Sequence, residues 1–228
     1  MSDTNAKRSG GHSVTPCPRP WYLSIAAKWS EAEGFGSLKP CLEALLRELP
    51  FHHLLIPIDS WHSSLFAVAK FTEFPNGKAA ALHAREIFQE LVADPNLVEE
   101  LQKSFEPFSV QPDKLSCFDN GTTVNFHPSN QLTKLRDAFR RALLSPFESV
   151  AEDRKGIQSL LQDENKSRGS KFFGSIARSP YPADLSMLRW ERSLPELLPL
   201  VFRRVYFLVS DEALMNPRTS ADSISISK

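Results

Sequence analysis

Residues Asp59–Phe71 read DSWHSSLFAVAKF. The stretch opens with the residues of a loop and passes into an apolar strand. His62 stands where the one becomes the other, and Ser64 follows two residues later. In an extended strand residues i and i+2 point to the same face, so His62 and Ser64 project together. A second stretch, KFFGSIARSP at Lys171–Pro180, has the same rhythm without a histidine. Aligned on Ser64 and Ser175, the two stretches lie 111 residues apart, and Phe173 takes the place of His62.

Working outward, WYLSIAAKW (Trp21–Trp29) carries apolar residues on both faces and reads as a central strand. SLKPCLEALLRELP is a helix with Ser37 as its cap, a Leu42, Leu45, Leu46, Leu49 stripe and Pro50 as its stop. FHHLLIPIDS is an extended link, because Pro57 forbids a helix interior. NGKAAALHAREIFQELVADPNLVEELQKSF gives two helices broken at Asp94-Pro95. PFSVQPDKLSCF and TTVNFHP flank Asp119–Gly121, an Asn-Gly hairpin signal. PSNQLTKLRDAFRRALL is an amphipathic helix capped by Ser129, with Leu132, Leu135, Phe139 and Leu143 on one side. Arg154–Arg168 is charged and expected to be partly helical, a mobile excursion able to cover a cleft. GSKFFGSIARS is a strand, and LPELLPLVFRRVYFLVSD a short helix containing Pro199 followed by a last strand at Arg204–Ser210. Helices mixed with hairpin-type strands make the chain α+β.

Composition narrows the function. Of 228 residues, 41% are hydrophobic and 24% charged, with 27 cationic and 27 acidic side chains, so the chain as a whole is no polyanion binder, although a local basic cleft is compatible. Cys17, Cys41 and Cys117 are odd in number and form no C-x-x-C pair, which argues against zinc and a disulfide framework. There is no Gly-rich phosphate loop. Residues 1–19 have no apolar core of a signal segment and are expected to be a flexible arm. Residues 20–217 are expected to form a single bilobal domain. Residues 218–228 are expected to be a flexible tail whose SISIS alternation is weak strand patterning. A cytoplasmic, monomeric protein that engages no membrane is the expectation.

The paired His-x-Ser-x and Phe-x-Ser-x stretches, with the helix before the first, the hairpin and helix between them and the closing strand RVYFLVSDEALMNP, resemble the 2H phosphoesterases over roughly Trp21–Pro217. That family includes 2′–5′ RNA ligase-like proteins and cyclic nucleotide phosphodiesterases. The resemblance implies a bilobal α+β fold in which two antiparallel sheets, related by a pseudo-twofold axis, face a central cleft with helices outside. It implies that each sheet delivers one motif, with one histidine acting as base and the other as acid. The two hydroxyls would hold the phosphate oxygens, and no metal or cofactor would be needed. Such chemistry opens a 2′,3′-cyclic phosphate, or makes and breaks a 2′–5′ linkage. Two imidazoles supply the proton transfers because histidine titrates near neutrality.

The family pattern expects histidine where Phe173 stands, and phenylalanine neither titrates nor hydrogen-bonds. A slow enzyme, a replacement partner, a natural pseudoenzyme and an altered sequence all remain open at this stage. The site expected from sequence consists of His62, Ser64 and Ser175, with Lys171, Arg178 and Tyr181 as phosphate- or nucleotide-binding residues. The expected ligand is a nucleotide or an RNA terminal phosphate. His127, His52 and His53 are candidate stand-ins for the missing histidine, while His83 and His12 are expected to be idle. Lys134, Arg136, Arg140 and Arg141 lie on one helix and could form a nucleic-acid-facing patch; the expectation is that Arg136, Arg140 and Asp137 form a solvated face. The alternatives to a slow phosphodiesterase are an inactive nucleotide-binding module and a protein-interaction module whose Lys78–Phe105 segment meets a partner.

Overall fold

A computed structural model describes residues 21–48, 54–71, 77–118, 121–152, 154–161, 171–178, 190–211 and 223–228. In chain order the elements are β1 (Trp21–Lys28), α1 (Phe35–Arg47), β2 (Leu54–Leu55), β3 (His62–Phe71), α2 (Gly77–Ala93), α3 (Pro95–Ser104), β4 (Phe108–Val110) and β5 (Pro112–Phe118). There follow β6 (Gly121–Phe126), α4 (Asn130–Ala151), β7 (Ile157–Ser159), β8 (Phe172–Arg178), β9 (Trp190–Ser193), β10 (Leu200–Phe202), β11 (Arg204–Asp211) and β12 (Ser223–Ser227). The strands form two five-stranded antiparallel sheets, β12-β11-β1-β3-β7 and β9-β5-β6-β8-β2, and a two-stranded ribbon, β10-β4, which the sequence did not lead us to expect.

The two large sheets match strand for strand. β3 and β8, which carry the motifs, are each second from an edge, with β1 and β6 beside them. Chain order repeats as well: β1-α1-β2-β3 against β6-α4-β7-β8. The short strands are exchanged, since β2 pairs with β8 in the second sheet and β7 pairs with β3 in the first. Each half thus closes the edge of the other, which hides main-chain groups that an edge would expose.

The register is duplicated in detail. In the first sheet Lys28 faces His62, Ala26 faces Ser64 and Ile25 faces Phe66, so Leu65 is an extra, bulged residue. In the second, Asn125 faces Phe173, Thr123 faces Ser175 and Thr122 faces Ala177, so Ile176 is the bulged residue. Every position on the motif strands is displaced by 111 residues and every partner by 97, bulge included. The strands meet at the equivalent positions Ser63 and Gly174. A Cβ on Gly174 would lie 2.3 Å from the His62 carbonyl oxygen, 2.4 Å from the Trp29 ring and 3.0 Å from Ser63 Oγ, so only glycine lets β8 approach β3 this closely. Trp29 Nε1 donates to Ser63 Oγ at 2.9 Å, and its ring meets Trp61 and Phe126 edge-on at 6.1 and 5.5 Å. One aromatic core therefore runs beneath both sheets.

Helices cover this core. Phe35, Leu38, Leu42 and Leu45 of α1 are buried, as are Leu132, Leu135, Phe139, Leu143 and Phe147 of α4. Asp94 caps α3 by accepting from the Asn96 amide at 2.9 Å. The Lys78–Phe105 segment packs on β1, β11 and α4.

Several expectations are corrected. α1 starts before Ser37: its N-cap is Gly34, at φ 86°, and Ser37 Oγ donates back to the Gly34 carbonyl instead. Ser129 occupies the N-cap of α4 but makes no capping hydrogen bond through its side chain. Within the expected partly helical 154–168 segment, Ile157–Ser159 is a strand, because β3 offers it an open edge, and Leu160 and Leu161 bury beside it, while 162–168 lie outside the described residues. The segment at Pro199 is not helical; Pro195 and Pro199 each remove a donor, and the chain runs extended into β10. Ser223–Ser227 is no loose tail but strand β12 on β11, anchored by the fully buried Ile226.

Arg136 is the largest departure. Although expected on a solvated face, it is 4% exposed. Its Nε donates to the carbonyl of bulged Leu65 at 2.8 Å and its Nη2 to the carbonyl of Lys171 at 2.6 Å. The planar guanidinium thus ties the two motif strands together. Arg140 and Asp137, by contrast, do form a partly exposed pair at 3.4 Å. Arg136→Leu leaves the buried Leu65 carbonyl and the part-buried Lys171 carbonyl without this donor, and urea unfolding is expected to show a loss of about 2–4 kcal/mol, which Arg136→Lys does not fully recover.

Candidate functional site

Directly paired residues of an antiparallel sheet share a face, so the registers give the neighbours of each candidate residue. On the first sheet one row runs Tyr206–Ala26–Ser64 and the next holds Lys28 and His62. On the second, one row runs Glu191–Ser116–Thr123–Ser175 and the next Ser193–Lys114–Asn125–Phe173. His62, Ser64, Phe173 and Ser175 alternate with Ser63 and Gly174, whose contact joins the strands. Each pair therefore takes the face of its own strand opposite to the residue at that crossing.

His62 is buried at 8% exposure, and its Nδ1 lies 2.7 Å from the Ser60 carbonyl. A carbonyl only accepts, so Nδ1 donates this bond; in the neutral tautomer the basic nitrogen is then Nε2. The turn Ile58–Ser60 places that carbonyl. Ser64 and Ser175 are half-buried, and Phe173 is 40% exposed. Lys171 is exposed and precedes β8. The main chain of Arg178 pairs with Leu54 and Gly121; its side chain, Tyr181, His12, His52 and His53 lie outside the described residues.

The other histidines go elsewhere. His127 Nε2 lies 3.9 Å from Asp113 and lines an open groove of about 890 Å³ with Gln111 and Leu194–Pro199, which none of the motif residues joins. His83 stands 3.4 Å from Glu86 on α2.

Residues that sequence reasoning missed complete the two faces. Beside His62, Lys28 Nζ sits 4.4 Å from the centre of the Tyr206 ring. The Tyr206 hydroxyl donates to the Glu31 carboxylate at 2.7 Å. Burial, then this hydrogen bond, push its phenol above the ordinary tyrosine value, against the pull of the nearby Arg204. Across the crossing, Asn125 Nδ2 donates to Ser116 Oγ at 2.8 Å, Ser116 Oγ donates to Glu191 at 3.2 Å, and Lys114 Nζ donates to Glu191 at 2.8 Å. That bond to Glu191 holds the Lys114 ammonium above the usual lysine value. Cross-strand partners are set by register, which no local spacing in the sequence encodes.

Among the described residues no helix is long and apolar enough to cross a membrane. No protein-family model and no curated protein matches the chain. A solved structure described as "Crystal structure of phosphoesterase" aligns at a TM-score of 0.47 and 9% identity, over 92% of this chain and 95% of that one, a likeness too distant to carry an argument about function.

Proposed function

We propose that this chain is a divergent 2H phosphoesterase-like protein whose cleft binds a 2′,3′-cyclic phosphate, or a 2′–5′-linked or terminal phosphate, of a nucleotide or RNA end. The observation that carries the reading is the duplicated register with its shared bulge. It sets Phe173 and Ser175 in the second sheet as His62 and Ser64 are set in the first. Ser64 and Ser175 donate to the nonbridging oxygens, with Lys171, Arg178 and Tyr181 as further contacts, and no cofactor takes part.

With its proton held on Nδ1, His62 is a base: Nε2 takes the proton of an attacking water. Phe173 has no proton to give the departing oxygen, so turnover is slow or nil, and phosphate-ester binding is the dominant activity. Calorimetry with adenosine 2′,3′-cyclic monophosphate tests this. We expect measurable binding by the wild type and a loss of about tenfold in Ser64→Ala, the scale of a hydrogen bond to a charged group. Undiminished binding by Ser64→Ala would sink the assignment.

A further inference from the structure

The two halves of the cleft match in backbone but not in chemistry, and the mismatch has a direction. On the first sheet the row at the crossing holds His62 and Lys28, with Arg204 beside Tyr206 on the same face. On the second, the equivalent positions hold Phe173 and Asn125. The cation there, Lys114, is bonded to Glu191, and the Asn125 amide is given to Ser116. At these matched positions one side therefore offers an ammonium and an imidazole, with Arg204 held against Tyr206 near Glu31; the other offers a neutral amide and an aromatic ring, with Lys171 just ahead of β8. Phe173 is one of three large apolar side chains that stand substantially exposed among the described residues, and it alone of them lies between polar neighbours on a sheet face.

We infer that the cleft takes its ligand in one orientation, with the phosphate on the first sheet at His62 and Lys28 and an aromatic base stacked on Phe173 of the second. The inference rests on the phosphate-binding reading above and names what that reading leaves open: the ligand is a nucleotide, and the lost histidine has become a base platform. Stacking on an aromatic side chain suits this position because every base has a π-face and the contact needs no hydrogen-bonding edge.

The test compares adenosine 2′,3′-cyclic monophosphate with methyl riboside 2′,3′-cyclic phosphate, which keeps the sugar and the cyclic diester but has no base. The wild type is expected to prefer the nucleotide by about 5- to 100-fold, the range that stacking on one aromatic ring supplies. Phe173→Leu, which keeps an apolar side chain without a π-face, should bring the ratio to near one, and Phe173→Trp should preserve it. Lys28→Met should weaken both ligands by the same factor and leave the ratio unchanged. If both ligands bind the wild type equally, or Phe173→Leu keeps the preference, the orientation is wrong while the phosphate site stands. If neither ligand binds, the phosphate-binding reading fails and this inference falls with it.

Discussion

Gly174→Ala is expected to destabilise the protein by about 3 kcal/mol, the upper part of the range for forcing an extra methyl into a packed interior. The atoms in the way are a main-chain carbonyl and a buried indole ring, neither of which can swing aside as a flexible side-chain end would. The methyl therefore pries β8 from β3 where the two strands cross. Ligand binding should fall with stability, since Phe173 and Ser175 move with that strand. Gly36, in the first turn of α1, gives the opposite sign. A Cβ there meets nothing within 4 Å, and alanine is the better helix former, so Gly36→Ala should raise stability by about 0.5–1 kcal/mol. Urea midpoints for the two variants, read side by side, check the pair. A neutral Gly174→Ala would mean that the lobes do not touch as described.

Phe173→His is expected to increase turnover of adenosine 2′,3′-cyclic monophosphate by about 10²–10⁴-fold, the contribution of one positioned acid or base. The substitution is mild for the fold, because the ring it replaces is 40% exposed and faces Asn125 rather than the core. With His62 as base and a new imidazole able to protonate the departing oxygen, the pH–rate profile should become bell-shaped. His62→Ala in the same background should remove the gain. A folded, ligand-binding Phe173→His protein with no gain in rate would show that an imidazole at position 173 does not reach the departing oxygen.

Much of this was legible in the sequence because it is local. The His62–Ser64 and Phe173–Ser175 rhythm, the Asp94-Pro95 break and the Asn-Gly hairpin each need only a few neighbouring residues, and all lie where expected. What escaped depends on partners distant in the chain. Arg136 reads as one more charge on a helix until Leu65, 71 residues earlier, and Lys171, 35 later, present carbonyls to it. β2 and β7 are only two and three residues long, too short for any alternation to register, and exist because the opposite lobe offers an edge. Lys28, Tyr206 and Asn125 become neighbours of the motif positions by strand register alone. Leu194–Pro199 carried leucines at helical spacing, but its two prolines and the bond from Gln111 Nε2 to the Leu197 carbonyl at 2.8 Å hold it extended.

The central claim is that two lobes build one phosphate pocket, with a hydroxyl from each. A double-mutant cycle on Ser64→Ala and Ser175→Ala, read as affinity for adenosine 2′,3′-cyclic monophosphate, addresses it directly. Each single change is expected to weaken binding, and the pair to be coupled by about 0.5–2 kcal/mol, as for residues that share one ligand group. Strict additivity, or a Ser175→Ala protein that binds as the wild type does, would contradict the account.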